Sequence, residues 1–346
     1  MIDGIIRGDL KEILSNMRKD LFEGKKVLVT GGVGFLGSWM CDASHKLGAE
    51  VSCLDNLSTG KNKNVNHLVE EKNFEFLEQD VVELKMEKKF DYILHLASRA
   101  SPEEYQQHPT GTLLANSVGS LNVLELARRS DARVLYASSS EVYGDAKVVP
   151  TPEDYWGNVN PVGVRSCYDE GKRFGEALFM AYYREYGLDI RIARIFNTFG
   201  PRLREDGAYA RALSRFIVQA LSNRDITVYG DGKQTRSFCY VSDTITALLL
   251  QLMSERAKGE VINVGNPDEI TILGLGEKIK ELTKSKSRIT FQPLPPDDPK
   301  RRSPNIGKAK GILGWQPKVA LYEGLTKTIK WFKKFMHKDQ KQKMFS

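Results

Sequence analysis

Thr30-Gly31-Gly32-Val33-Gly34-Phe35-Leu36-Gly37 lies directly after the apolar run Val27-Leu28-Val29 and opens a helical stretch that reaches about Leu47. Gly31, Gly34 and Gly37 form a G-x-x-G-x-x-G turn. Glycines there let a backbone bend tightly and approach a pyrophosphate, which a helix N-terminus attracts. The pattern by itself is weak, but its surroundings agree with it. A strand precedes it, a helix follows it, and Val51–Asp55 reads as the next strand with an acid at its end. An acid in that position bonds the adenosine ribose hydroxyls of a dinucleotide and repels an added 2′-phosphate, which favours NAD. No arginine follows in Asn56-Leu57-Ser58-Thr59-Gly60, although Lys61 does. The candidate cofactor-binding residues are Gly31, Gly34, Phe35, Leu36, Gly37, Asp55 and Asn56, with Asp80, Val81, Leu96 and Ser98 at the ends of the following two strands and Tyr168 and Lys172 further on.

Outward from this unit the rhythm continues. Phe74–Asp80, Tyr92–Ser98, Val134–Ser138 and Ile190–Phe196 read as strands, with helical periodicity over Leu113–Arg128 and Tyr168–Tyr186. Alternating strands and helices predict an α/β fold, a doubly wound parallel sheet with helices on both faces. After Asn197 the elements become short. A helix is expected near Arg211–Leu221, a strand at Ile226–Tyr229, a helix over Val241–Met253 returning to the first domain, a strand at Val261–Val264 and a helix over Thr271–Leu282. We therefore expect an N-terminal helical extension (1–22), a nucleotide-binding domain (23–197 plus 238–264), an interleaved smaller substrate-binding domain (198–237 plus 265–318) and a C-terminal helix and tail (319–346). In the extension, Ile13, Leu14, Met17 and Leu21 recur at helical spacing, as in a helix on the surface or against a partner subunit.

The 346 residues are 41% hydrophobic and 27% charged, which excludes collagen-like, disordered and disulfide-scaffold chains. No run approaches the ~18 apolar residues of a membrane span. Nor is there an apolar signal-peptide core near the start, so no membrane partner and a cytoplasmic location are expected. Cys41, Cys53, Cys167 and Cys239 have no CxxC spacing and read as free thiols. The five histidines lack metal-ligand spacing, so no metal is expected. The net charge of +7 admits a solvated surface, an anionic small substrate or nucleic acid, and the last is disfavoured because the excess is partly local. Lys300-Arg301-Arg302 is one cluster and Lys333, Lys334, Lys338, Lys341 and Lys343 form a basic tail.

The chemistry sits further along the chain. Tyr168 and Lys172 are four apart on a helix and share a face. A tyrosine needs about three pK units, or ~4 kcal/mol, of differential stabilisation to act as a base near neutrality. A lysine ammonium nearby favours the phenolate and supplies part of that. Ser138-Ser139-Ser140-Glu141-Val142-Tyr143-Gly144 follows the strand at Val134–Ala137. Residues at the carboxyl ends of parallel strands face the ligand crevice, so Ser139 can bond the oxygen that Tyr168 deprotonates.

Together with Glu153-Asp154-Tyr155-Trp156-Gly157, Asn160-Pro161, Cys167-Tyr168-Asp169-Glu170-Gly171-Lys172-Arg173, Arg194–Arg202, Gln234-Thr235-Arg236 and Tyr240-Val241-Ser242-Asp243, these residues resemble the extended short-chain dehydrogenases/reductases acting on nucleotide sugars. The likeness spans about Lys25 to Trp315, and within the group it is strongest to the UDP-glucuronate decarboxylases. The resemblance implies NAD as cofactor, a UDP-sugar substrate and a homodimer paired through the helices around Leu113–Arg128 and Tyr168–Tyr186. It implies a catalytic set of Ser139, Glu141, Tyr168, Lys172 and Arg302, the last in an Arg-x-Pro motif where Arg301 is an adjacent alternative. Glu141 and Arg302 would orient the carboxyl group and handle water or proton delivery at carbon 5, with the division of roles open. Asn197, Arg211, Arg236 and Tyr105 would contact the nucleotide sugar. Sugar 4,6-dehydratases carry Asp-Glu where this chain has Ser140-Glu141, and 4-epimerases generally lack the glutamate. Those activities, decarboxylation of an N-acetylated uronate, and a silent NAD- or RNA-binding protein are the alternatives.

Overall fold

In the computed structural model, residues 2–204, 212–295 and 297–344 are described. The chain begins with α1 (Gly4–Ser15), whose first turn is capped by the Asp3 carboxylate on the Ile5 N–H at 2.8 Å. Then come β1 (Lys26–Thr30), α2 (Phe35–Lys46), β2 (Glu50–Asp55), β3 (Phe74–Glu78), β4 (Tyr92–His95), α3 (Pro102–Gln107), α4 (Pro109–Asn116), α5 (Val118–Ser130), β5 (Arg133–Ser139), α6 (Ser166–Tyr186) and β6 (Ile190–Ile195). The short elements follow: β7 (Thr198–Phe199), α7 (Ala212–Leu221), β8 (Ile226–Tyr229), β9 (Thr235–Ser237), β10 (Cys239–Tyr240), α8 (Val241–Met253), β11 (Val261–Val264), β12 (Glu269–Thr271), α9 (Ile272–Thr283), β13 (Ile289–Gln292), α10 (Gly307–Leu313) and α11 (Leu321–Met344).

Seven strands form one sheet in the order β11-β6-β5-β4-β1-β2-β3, every neighbouring pair parallel. Helices cover both faces, so the strands read as apolar runs rather than alternating ones; after Lys26 every residue of β1 is buried. The chain leaves β1 toward β2 on one side and reaches β4 on the other. That reversal opens a crevice beyond the carboxyl ends of β1 and β4, where doubly wound sheets hold their ligands. β11 extends the sheet beyond β6, and α8 lies back on β5, β6 and β11. The remaining strands make three small pairs, β7 with β10, β9 with β12 and β8 with β13.

Two expectations change. The helix expected over Leu113–Arg128 is two helices, α4 and α5, broken at Ser117 (φ −107°, ψ −77°), whose hydroxyl donates to the Leu113 carbonyl at 2.7 Å. A serine hydroxyl offers the backbone a local alternative to helix continuation. The N-terminal helix stops at Ser15, short of Met17 and Leu21, and packs on the surface formed by α2 and α8, one of the two placements expected for it. Ser15 and Asn16 fold back on the Glu12 carbonyl and end it, so Ile6, Leu10 and Ile13 are its core residues while Leu14, Met17 and Leu21 are only partly buried. Buried Asp9 ties this helix down, accepting from the Tyr240 hydroxyl at 2.6 Å and from Lys327 Nζ at 3.1 Å.

Candidate active site

A cleft of about 700 Å³ runs along the carboxyl ends of the strands and continues over the elements that follow β6. At one end is the glycine turn. Gly31 has φ +68°, and a Cβ there would meet the Ala97 backbone at 2.9 Å. A Cβ on Gly37 would come within 2.0 Å of the Gly31 carbonyl oxygen, so only glycine lets the turn close on the first turn of α2. Asp55, at the end of β2, accepts the Val33 N–H through Oδ2 at 3.2 Å and the Leu57 N–H through Oδ1 at 2.9 Å. Burial pushes its carboxyl pKa up, partly offset by those two donors. Asn56 Nδ2 donates to Asp80 Oδ2 at 2.7 Å, and Asp80 Oδ1 accepts from the Val82 N–H at 2.9 Å. Phe35, Leu36, Val81, Leu96 and Ser98 line the same end. A backbone cradle that any Cβ would fill, a helix N-terminus beside it and an acid at the next strand end fit an NAD-type dinucleotide.

In the middle of the cleft, Tyr168 and Lys172 project from one face of α6 toward the end of β5. Lys172 Nζ donates to the Ala137 carbonyl at 2.9 Å and sits 5.8 Å from the Tyr168 ring centroid. Burial lowers the Lys172 pKa to about 7, against an opposing pull from Glu176. Ser139 closes β5 and accepts the Glu141 N–H at 3.3 Å. The Tyr105 ring stacks on Tyr168 with centroids 5.1 Å apart and planes 7° from parallel. The Tyr105 hydroxyl is buried without a partner among the described residues, and burial pushes its pKa up.

The far end is ionic. Glu141 accepts from both Nη atoms of Arg302, Nη2 at 2.8 Å, and from Arg165 Nη2. Burial opposes its ionisation, but the two guanidinium groups outweigh it and hold the carboxyl at about 2. Asp169, one helical turn after Arg165, lies 3.8 Å from its Nε; burial and the neighbouring Glu141 raise its pKa to about 7. Arg302 is buried here, whereas Arg301 points outward to Glu269, so geometry separates the two adjacent arginines. Arg236 is held by Asp298 at 2.8 Å, and Asn197 Nδ2 donates to the Ser237 carbonyl at 3.1 Å; both line the cleft. Arg211 lies outside the described residues.

The cleft thus brings together Ser139, Glu141, Tyr168, Lys172 and Arg302 with Tyr105, Asn197 and Arg236. Sequence reading missed Arg165, which lines the cleft, and Asp169 behind it. Their four-residue spacing on the helix of Tyr168 was the available signal. His95, in contrast, is enclosed in the core, hydrogen-bonded to Thr30 and Ser120 and not lining the cleft.

Residues 27–265 match the NAD dependent epimerase/dehydratase family. The chain is 51% identical over 310 residues to a zebrafish (Danio rerio) protein named UDP-glucuronic acid decarboxylase 1, covering 89% of this chain and 72% of that one. Its structure is similar to that of an epimerase from the methanogen Methanothermobacter thermautotrophicus, with a TM-score of 0.87 and 30% identity over 96% of this chain and 98% of that one. It is also similar to UDP-glucuronic acid 4-epimerase from Bacillus cereus in complex with UDP-glucuronic acid and NAD, with a TM-score of 0.82 and 28% identity over 90% of this chain and 99% of the other. With a family match over residues 27–265 and a relative 51% identical over 89% of its length, the chain belongs to the NAD dependent epimerase/dehydratase family.

Proposed function

We propose that this chain converts UDP-glucuronate to UDP-xylose and carbon dioxide, using NAD that is regenerated within each turnover. The observation that carries the reading is Glu141, clamped by Arg302 and Arg165 at the end of β5, beside Ser139 and across from Tyr168. Residues of the glycine turn, with Asp55 and Asp80, would hold the dinucleotide, which when bound accepts hydride from carbon 4 of the sugar and later returns it. Tyr168 takes the proton from the carbon 4 hydroxyl, with Ser139 bonded to that oxygen and Lys172 beneath the ring. The ketone so formed is β to the carboxylate. When the bond to the carboxyl carbon breaks, its electron pair passes into the ketone as an enolate whose oxygen Ser139 and Tyr168 still hold. A proton must then enter at carbon 5. Glu141, held ionised by two arginines, is suited to orienting those arginines and a water rather than to giving up a proton itself. Asn197 and Arg236 would face the nucleotide diphosphate, for which a guanidinium is well matched. We read the short elements after β6, with α9 and β13, as the part that closes over the sugar nucleotide.

A second reading has its own support: the Bacillus cereus neighbour is a 4-epimerase bound to UDP-glucuronic acid. Mass spectrometry of UDP-glucuronate incubated with the purified chain, with and without added NAD, separates the two. Loss of one carbon dioxide without net NADH is the expected result. An unchanged mass overturns the decarboxylase reading, and chromatography of the same sample then shows whether an epimer has formed.

We also propose a homodimer. Leu113 and Leu114 on α4, Val118 and Leu121 on α5, and Phe174 and Tyr186 on α6 are exposed apolar side chains on the helices expected to pair. Light scattering at the mass of a single chain would contradict it.

A further inference from the structure

The two guanidinium groups on Glu141 are not equivalent. Arg302 gives both of its Nη atoms to the carboxylate. Arg165 gives only Nη2. Its Nε faces Asp169 at 3.8 Å, and its Nη1 has no hydrogen-bond partner among the described residues. Arg165 lines the cleft, and its guanidinium lies 6.0 Å from the ring of Tyr105, which stacks on Tyr168. An acceptor on Nη1 would therefore lie close to the Tyr105–Tyr168 pair, where the reading above puts the sugar.

Charge balance points the same way. Glu141 neutralises one of the two arginines. Arg236 is already neutralised by Asp298. Asp169, whose pKa burial and Glu141 raise, is only partly ionised near neutrality and offsets only part of the rest. The cluster therefore keeps an excess of positive charge in a mostly buried site. A sugar nucleotide with a carboxylate on its hexose ring balances it, and one without a carboxylate leaves it unpaired, which is costly where water is scarce.

We propose that Arg165 is the substrate-binding residue that takes the sugar carboxylate, while Glu141 locks Arg302 and fixes Arg165 in place, so that Arg165 selects uronates over sugars without the carboxyl group. The inference rests on the UDP-glucuronate reading above. A single N–H contact also suits the reaction. It orients the carboxylate without the bidentate grip that would stabilise the ground state against loss of carbon dioxide.

The test uses the NAD-loaded full chain carrying Tyr168→Phe to stop turnover, with calorimetric Kd values for UDP-glucuronate and UDP-xylose before and after adding Arg165→Gln or Arg165→Lys. A hydrogen bond to a charged group contributes about 1.5–3 kcal/mol, so Arg165→Gln should weaken UDP-glucuronate by about 10- to 150-fold. UDP-xylose, which lacks the carboxylate, should change by less than about twofold, and Arg165→Lys should recover part of the selectivity. Equal losses for both ligands, or an unchanged Kd for UDP-glucuronate, would overturn the assignment. If Arg165→Gln does not fold, Arg165→Lys decides: a smaller but selective loss supports the assignment and a non-selective one overturns it. Turnover of UDP-glucuronate by the unaltered chain is read in parallel. Its absence would count against the proposed activity, while the ratio of the two Kd values still decides the role of Arg165.

Discussion

The two ends of the cleft are built from different materials. The coenzyme end is made of backbone. Gly31, Gly34 and Gly37 clear space, Asp55 accepts one N–H of the glycine turn and one of its own loop, Asp80 accepts one of its own loop, and nearly everything comes from the stretch between β1 and β4. The sugar end is made of ionised side chains drawn from distant segments. Glu141 follows β5, Arg165 opens α6, and Arg302 arrives from 161 residues beyond Glu141. A backbone cradle offers the same groups to any dinucleotide, so it can stay constant while the reaction changes. A cluster of charges is particular to what it neutralises, and replacing one member unbalances the others. The difference places reaction specificity at the ionic end and shared redox chemistry at the backbone end.

Breaking the point where the two ends meet should have the largest effect. Tyr168→Phe removes the proton acceptor, and steady-state assays should show kcat lower by about 10²–10⁴-fold, the usual contribution of a positioned acid or base. The same variant should still bind NAD, which fluorescence titration would show. Next comes the ionic end. Arg302→Met leaves Glu141 with Arg165 alone, and stranding part of a buried pair costs on the order of 3 kcal/mol, measurable by denaturant unfolding. At the backbone end, Gly37→Ala places a methyl 2.0 Å from the Gly31 carbonyl oxygen. Overpacking of that kind costs ~1–3 kcal/mol, and it should fall on NAD affinity while UDP-xylose binding persists, a split that calorimetry can read.

The pH dependence sharpens the contrast within the ionic end, because two of its carboxylates act with opposite sign. Glu141, at about 2 when folded, adds stability that is present above its unfolded value and lost as pH falls toward 2. Asp169, at about 7 when folded, keeps a proton that the unfolded chain releases near ~3.9. Stability should therefore decline as pH rises from about 4 to 7 on its account. Asp169→Asn should flatten that decline, so its Tm should gain on that of the unaltered chain between pH 5 and pH 8; parallel curves would contradict the assignment. The smallest effect is expected next door to Arg302. Arg301 is exposed on Glu269, and Arg301→Met should change stability by less than about 1 kcal/mol.

The same contrast explains what could be read from sequence. A motif whose parts are contiguous carries its geometry in its spacing. The turn at Gly31–Gly37, Asp55 two strand-lengths on, and the Tyr168–Lys172 step were all legible for that reason, and so was the parallel sheet. Clusters assembled across the fold have no spacing to read. Arg302 was reached through resemblance, and only burial separates it from Arg301. Arg165 and Asp169 carry only the four-residue spacing of a helical pair, and nothing local says that Glu141 lies opposite. The break at Ser117 was hidden because apolar periodicity runs through it, and the competing hydrogen bond is one hydroxyl.

On this reading one cleft oxidises carbon 4, releases the carboxyl carbon as carbon dioxide and then reduces carbon 4. Incubation of the chain with UDP-glucuronate carrying deuterium at carbon 4, followed by mass spectrometry of the product, tests it directly. The expected product is UDP-xylose that keeps its deuterium at carbon 4, with no net reduced cofactor. A pentose product without the deuterium, or a deuterated uronate whose carbon skeleton is intact, would contradict it.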